Sequence, residues 1–107
     1  MREKIDIERK KELEAKGWKF GGAEDFLGLT DEELMYIEVK ITLSVMVKDF
    51  RERKGLTQIA AAEILKSSQS RISKIEKADP TVSIDLQIKS LLALGASKRE
   101  IGQKIAF

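Results

Sequence analysis

The stretch 55–77, GLTQIAAAEILKSSQSRISKIEK, decides the fold of this 107-residue chain. It contains two short helix-forming segments, and each follows a hydroxyl residue that can cap a helix, Thr57 before the first and Ser68 before the second. Only about three residues join the two segments. The spacing therefore predicts a pair of short helices connected by a tight turn.

The second of these helices has an unusual surface composition. Ile72 and Ile75 are three residues apart and can face a core, in which Ile64 and Leu65 at the end of the first helix are also expected. The remaining side chains are mostly polar and are predicted to lie on the outer surface: Gln69, Ser70, Arg71, Ser73 and Lys74. Serine and glutamine are poorer choices than Glu and Lys if solubility alone is required. The pattern therefore indicates that a ligand binds this face.

Two helices joined in this way match a helix-turn-helix, whose second helix enters the DNA major groove. Gln can bond adenine through two base-edge atoms, Arg can bond guanine likewise, and Ser can contact bases or phosphates. The free N–H groups at the helix starts place Gln58 and Ser68 where they can help to hold phosphates. Sequence-specific binding of double-stranded DNA is therefore predicted.

A long helix is predicted upstream of this pair. Thr30 with Glu33 forms a capping-box signal, and Gly55 follows the predicted end at Lys54. A length of about 24 residues is long for a globular helix, so a break near Thr42 or Ser44 remains open. The residues expected to face the core recur at roughly helical spacing: Leu34, Ile37, Ile41, Val45 and Phe50.

Two further helices are predicted downstream. Ser83 can cap the segment IDLQIKSLLAL, which ends at Gly95, and Ser97 with Glu100 forms a second capping box before KREIGQKIA. The six apolar residues of the first segment exceed the needs of one helix face, so they either all pack internally or form part of a dimer seam. An all-α domain of five helices is expected over residues 30–107, after a helical N-terminal extension at residues 1–29.

Composition excludes much enzyme chemistry. The chain contains no cysteine and no histidine, which removes thiolate catalysis and the commonest general base and metal ligand. We predict no enzymatic activity, no metal and no cofactor. No apolar run reaches about 18 residues, and the charged start lacks a secretory signal, so a cytoplasmic protein without membrane contact is expected. The net charge of +2 keeps a protein-interaction module without DNA binding as an alternative.

The stretch 55–77 resembles the Cro/C1-type (Xre) helix-turn-helix regulators, and the resemblance extends over about residues 44–95. It implies a five-helix lambda-repressor-like domain in which Ala62 lies at a helix crossing and Gln58 buttresses or binds backbone phosphate. The resemblance also places Gln69, Ser70, Arg71 and Lys74 toward DNA. Arg51 and Glu76 occupy positions that often pair as a structural ion pair in that family.

The position of Lys66 departs from the family, which usually has glycine there. If the turn requires a positive φ angle, lysine is expected to cost on the order of 1 kcal/mol.

The flanking segments FLGLTDEE and VSIDLQIKSLLALG resemble small Xre-type antitoxins of RelE/HigB-like toxin-antitoxin pairs. By that resemblance the protein is an autorepressor, and residues 1–29 bind a toxin. The expected anchors are the apolar side chains Trp18, Phe20, Phe26 and Leu27. Covering of the domain's own core by Trp18 and the role of a stand-alone Xre repressor remain as alternatives. A homodimer would place two recognition helices about 34 Å apart and predicts a palindromic operator.

Overall fold

The computed structural model describes residues 11–12, 14–15 and 28–106. Over residues 28–106 the chain forms α1 (Asp31–Arg53), α2 (Gln58–Ile64), α3 (Gln69–Glu76), α4 (Ile84–Ala93) and α5 (Lys98–Ile105). No strand occurs in these described residues. The predicted all-α domain with five helices is confirmed. Most of the predicted extension, residues 1–29, lies outside the described residues.

Helix α1 begins at the predicted capping box. The Thr30 hydroxyl accepts a hydrogen bond from the Glu33 amide at 3.1 Å, and the Thr30 amide donates to the Glu33 carboxylate at 3.2 Å. The helix continues without a break to Arg53. Ser44 does not interrupt it, because its hydroxyl donates to the Ile41 carbonyl within the helix at 2.8 Å.

The core-facing side of α1 agrees with the prediction in part, because Ile37 and Phe50 are buried as expected, with 5% and 8% exposure. The main core contains Leu43, Met46, Val47 and Phe50, whereas Val45 is 44% exposed. The prediction for Val45 was therefore wrong. Apolar residues lie on two sides of this long helix, so periodicity alone offers two candidate faces. Packing chooses between them, because α3, α4 and α5 all contact α1.

The shorter helices complete the core. Ala61 and Ala62 of α2 are buried, and their small side chains allow α2 to pack closely on α3. Ile72 and Ile75 face inward as predicted, with 0% and 1% exposure. Ile64 was also expected in the core, but it is 49% exposed. It is the last residue of α2, a helix of only two turns that buries its alanine side.

The apolar residues of α4 pack mainly inward. Leu91 and Leu94 are buried, and three partly buried neighbours pack against the same core: Ile84, Leu86 and Ile88. Leu92 remains 46% exposed. Internal packing therefore accounts for five of the six residues that were considered for a dimer seam.

The turn after α2 has a positive φ angle at Lys66, where the family usually has glycine. Lys66 has a φ of 53°, in the left-handed region. Its amide donates to the Glu63 carbonyl at 3.2 Å, and the Ser67 amide donates to the Ala62 carbonyl at 2.8 Å. These two bonds define a Schellman motif, which normally has glycine at the left-handed position. Lysine therefore carries the expected cost of about 1 kcal/mol here.

Candidate nucleic-acid interface

The recognition helix α3 is presented by a capped and tightly connected pair of helices. The Thr57 hydroxyl accepts from the Ala60 amide at 3.0 Å, and the Ser68 hydroxyl accepts from the Arg71 amide at 3.2 Å. Because the isoleucines of α3 are buried, its polar residues project outward. Four of them are exposed and Ser73 is partly exposed; the four are Gln69, Ser70, Arg71 and Lys74.

A largely buried ion pair holds α3 against α1. The Arg51 Nε lies 2.6 Å from one oxygen of Glu76, and Nη2 lies 3.0 Å from the other. Nη1 also donates to the Leu56 carbonyl at 2.8 Å, so the same guanidinium fixes the chain that leads into α2. The side chains are 13% and 4% exposed, respectively. The hydrogen bonds that the guanidinium donates to the Glu76 carboxylate raise the pKa of Arg51, which favours its charged form.

The ion pair continues into a line of amide side chains that ends at the helix surface. Gln58 donates from Nε2 to the Glu76 carboxylate at 3.3 Å, and Gln69 donates from Nε2 to the Gln58 carbonyl oxygen at a longer 3.5 Å. An ionised carboxylate only accepts hydrogen bonds, so it requires the NH2 group of Gln58 to face it. The carbonyl of Gln58 must then face the NH2 group of Gln69.

This line sets the polarity of the Gln69 amide. With one N–H directed toward Gln58, the second N–H and the carbonyl oxygen of Gln69 are left to bind a ligand. A neighbouring donor and acceptor are what adenine requires at its major-groove edge. The sequence patterns did not predict the contact between Gln58 and Glu76. The available signal was that Gln69 and Glu76 are seven residues apart and therefore lie on the same side of α3, where one side chain of α2 can contact both.

A polar cleft lies on the opposite flank of α3. It has a volume of about 370 Å³ and is lined on one side by residues of the recognition helix: Ser68, Ser70, Arg71 and Lys74. Thr81 and Ser83, from the loop before α4 and the cap of that helix, line the other side. The Lys74 ammonium among these hydroxyl groups suits a phosphate. These two residues were not predicted as site residues, although the capping signal at Ser83 marks the helix start beside the cleft.

The structure brings together the predicted residues of the helix pair, but it does not bear on the predicted partner-binding residues. Trp18, Phe20, Phe26 and Leu27 lie outside the described residues. Over the described ranges, no cluster of three or more acidic residues is arranged to hold a metal ion. No helix in the same ranges combines the length and apolar character needed to cross a membrane.

The fold and the exposed polar face of α3 define a DNA-binding regulator of the helix-turn-helix class. A family model described as helix-turn-helix, of the Cro/C1 type, matches residues 47–101. The chain belongs to this family. No curated protein and no solved structure matched the chain.

Proposed function

We propose that this chain is a sequence-specific transcriptional repressor that reads DNA bases through Gln69 and Arg71. The observation that carries the proposal is the line from Arg51 through Glu76 and Gln58, which orients the Gln69 amide before DNA arrives. A side chain held in its binding geometry loses less conformational entropy on binding. The proposed reading group is therefore preorganised.

The proposed DNA contacts of the helix pair divide by position into base contacts and backbone contacts. Gln69, beside α2, suits adenine, and Arg71, beside the polar cleft, suits guanine. The proposed backbone contacts come from the first residues of the two helices and from the outer side of α3: Gln58, Ser68, Ser70, Ser73 and Lys74. Because the net charge is only +2, the attraction to phosphate depends on the cations around the recognition helix: Lys66, Arg71, Lys74 and Lys77.

Base reading is tested by selecting bound duplexes from a random-sequence pool and then measuring the affinity of variants. Arg71→Ala should weaken binding to the selected duplex by about 1–3 kcal/mol and have a smaller effect on random duplexes. Arg99→Ala is the matched control, because Arg99 is an exposed arginine on α5, outside the helix pair. Equal losses on selected and random DNA would refute base reading by Arg71.

The selection also discriminates between the proposed repressor and an interaction module. An enriched motif supports DNA reading, and a palindromic motif supports a homodimer, because two-fold symmetric proteins bind symmetric half-sites. Recovery of no motif, together with weak binding to every duplex, would favour the interaction module. A single asymmetric half-site would oppose the dimer.

We further propose that the repressor is the antitoxin of a RelE/HigB-like toxin and controls its own promoter. The support is the resemblance of the flanking segments, and the proposal divides the chain into a toxin-binding segment at residues 1–29 and a DNA-binding domain at residues 30–107. The proposed anchors in the first segment are Trp18, Phe20, Phe26 and Leu27.

Deletion of residues 1–29 tests this division. The shortened protein should keep its affinity for the selected duplex and lose toxin binding, with the toxin taken from the neighbouring reading frame. Toxin capture by the shortened protein would count against the assignment. A neighbouring frame that encodes no toxin-like protein of about 100 residues would favour a stand-alone repressor.

A further inference from the structure

Lys40 of α1 is a lysine that DNA cannot reach. It is 2% exposed, which is unusual for a residue type that normally lies at the surface. Its ammonium donates to the Pro80 carbonyl at 3.1 Å and lies 5.6 Å from the centre of the Tyr36 ring. Burial lowers the pKa of Lys40, and the nearby Asp79 carboxylate opposes that shift. Lys40 therefore joins α1 to the loop that leaves the recognition helix.

That loop connects the recognition helix to the far side of the polar cleft. The Asp79 amide donates to the Lys74 carbonyl at 3.1 Å, and the Asp79 carboxylate accepts from the amide and the hydroxyl of Thr81 at 2.8 and 2.6 Å. Ser83 then caps α4 by accepting from the Leu86 amide at 3.1 Å. Lys40 holds Pro80 at the middle of this path, where the backbone itself has no N–H to donate.

The backbone of Lys40 makes a second connection. Its carbonyl accepts from Gln87 Nε2 at 2.8 Å, and the Gln87 side chain is fully buried in α4. A single residue of α1 therefore contacts both the loop and the helix that follows it. The loop is fixed relative to the scaffold rather than only to its own neighbours.

A buried lysine of this kind matters more for the position of the group it bonds than for stability. Removing an ammonium from water is costly, and an apolar side chain of similar volume can often fill the site at little cost to stability. A hydrogen bond from an ammonium does something that an apolar side chain cannot do, because it fixes the position of one carbonyl oxygen. At Lys40 that oxygen belongs to the loop beside the cleft.

We propose that Lys40 is a positioning residue for DNA binding. By fixing the Pro80 carbonyl, it holds Thr81 and Ser83 in position across the cleft from Lys74, so that the cleft is formed before a phosphate enters. The inference rests on the proposed function, because it assumes that the cleft receives DNA backbone. Lys40 acts through the loop and does not touch DNA itself.

The test compares two lysines of the same helix. Lys40→Met removes the hydrogen bond while keeping the side-chain volume, and Lys48→Met makes the same charge change at a site whose side chain is 57% exposed. The probe is a random-sequence duplex of about two helical turns, titrated at low and at physiological salt. Lys40→Met should weaken binding by about 5- to 10-fold and reduce the salt slope by about one, whereas Lys48→Met should change the affinity less than about twofold.

Hydrogen exchange of the free protein supplies a readout that a general loss of stability would not mimic. In Lys40→Met the amides of Thr81 and Val82 should exchange about tenfold faster, while those of α1 and α4 keep their wild-type rates. Unchanged DNA affinity in folded Lys40→Met would overturn the proposal. So would faster exchange spread evenly over all the described helices, because Lys40 would then only support the fold.

Two further measurements keep the result interpretable. If Lys40→Met does not fold, the wild-type protein labelled with ¹⁵N at lysine should show one slowly exchanging ammonium that is coupled through a hydrogen bond to the Pro80 carbonyl. The absence of that signal overturns the proposal.

Lys74→Ala on the same duplex distinguishes failure of the positioning role of Lys40 from failure of the proposed DNA surface. If Lys74→Ala weakens binding and Lys40→Met does not, only the positioning role fails; if neither does, the proposed DNA surface itself fails.

Discussion

The ends of the scaffold helices and the ends of the two helices of the recognition pair use the same turn with different residues. Two residues after the last residue of α1 and of α4 lie Gly55 and Gly95, whose φ angles are 67° and 99°. At the same position after α2 and α3 lie Lys66 and Ala78, with φ angles of 53° and 55°. At all four ends the backbone makes the paired hydrogen bonds of a Schellman motif.

The difference shows where the domain stores backbone strain. A left-handed conformation costs a residue with a side chain about 1–2 kcal/mol and costs glycine almost nothing. The strained positions lie three residues before and two residues after the recognition helix, whereas the scaffold ends are relaxed. The recognition helix is therefore held by its contacts with α1 and α2 rather than by its own turns. Those contacts are the buried isoleucines and the ion pair between Arg51 and Glu76.

Loss of the ion pair between Arg51 and Glu76 should have the largest effect on the free energy of unfolding. Glu76→Gln removes the charge and leaves the largely buried guanidinium of Arg51 without its carboxylate, so we expect a loss of about 3 kcal/mol in the free energy of unfolding. Chemical denaturation measures it. Glu52→Gln is the control, because Glu52 pairs with Lys48 at the surface at 3.9 Å and should change stability by less than about 0.5 kcal/mol. Similar losses in the two variants would mean that the buried pair does not hold the recognition helix.

Adding a side chain at the relaxed ends should have the next largest effect. Gly95→Ala should cost about 1–2 kcal/mol, since its φ is positive and the new Cβ would lie 3.0 Å from the Lys54 ammonium. Gly55→Ala has open space around it and should cost about 1 kcal/mol. Gly102→Ala, in the interior of α5 and also with open space, should instead gain about 1 kcal/mol. Thermal unfolding of the three variants checks the order.

Removing the side chain at a strained end should give a smaller change of opposite sign. Lys66→Gly should raise the free energy of unfolding by about 0.5 kcal/mol, because relief of the left-handed strain exceeds the entropy cost of glycine. Ala78→Gly should gain less, because it also removes a methyl group from a residue that is only 1% exposed. Lys66→Ala keeps a Cβ at the same φ and should show no gain. If both glycine variants lose stability, the contrast between the two kinds of helix end has no energetic basis.

The smallest predicted effect is on the pH dependence of stability, through the Asp79 carboxyl. Hydrogen bonds from the hydroxyl and the amide of Thr81 lower the pKa of Asp79. A carboxyl whose pKa is depressed on folding contributes stability above its unfolded value, and that stability is lost as the pH falls through the folded value. Thr81→Val removes the hydroxyl donor. The variant should be slightly less stable than the wild type at neutral pH, and the difference should shrink as the pH falls through the lowered pKa of Asp79, because the carboxyl is then protonated in both folded proteins. A difference that stays constant with pH would exclude this linkage.

Local signals in the sequence predicted the helix boundaries well. All five predicted caps accept a hydrogen bond at the start of a helix: Thr30, Thr57, Ser68, Ser83 and Ser97. A cap involves residues only three positions apart, so the sequence contains all the information it needs. The burial of Ile72 and Ile75 followed from the same kind of short-range spacing. The faces of the longer elements were harder, and the predictions for Val45 and Ile64 were wrong.

The candidate site also has one part that the sequence predicted and one part that it did not. The outward polar residues of α3 could be named from their spacing, because one helix decides which side chains share a face. The contact between Gln58 and Glu76, and the closing of the cleft by Thr81 and Ser83, join residues from different elements. No periodicity within one segment contains that information.

For this protein, the order of short-range signals along the chain was enough to establish five helices, their caps and the exposed face of the recognition helix. Tertiary structure alone decided which side of α1 is buried, which way the amide of Gln69 points and that Lys40 reaches the loop after α3. The physical reason is range. Caps and helix faces depend on residues within one or two turns, whereas orientation and burial depend on atoms that meet only after distant segments have packed together.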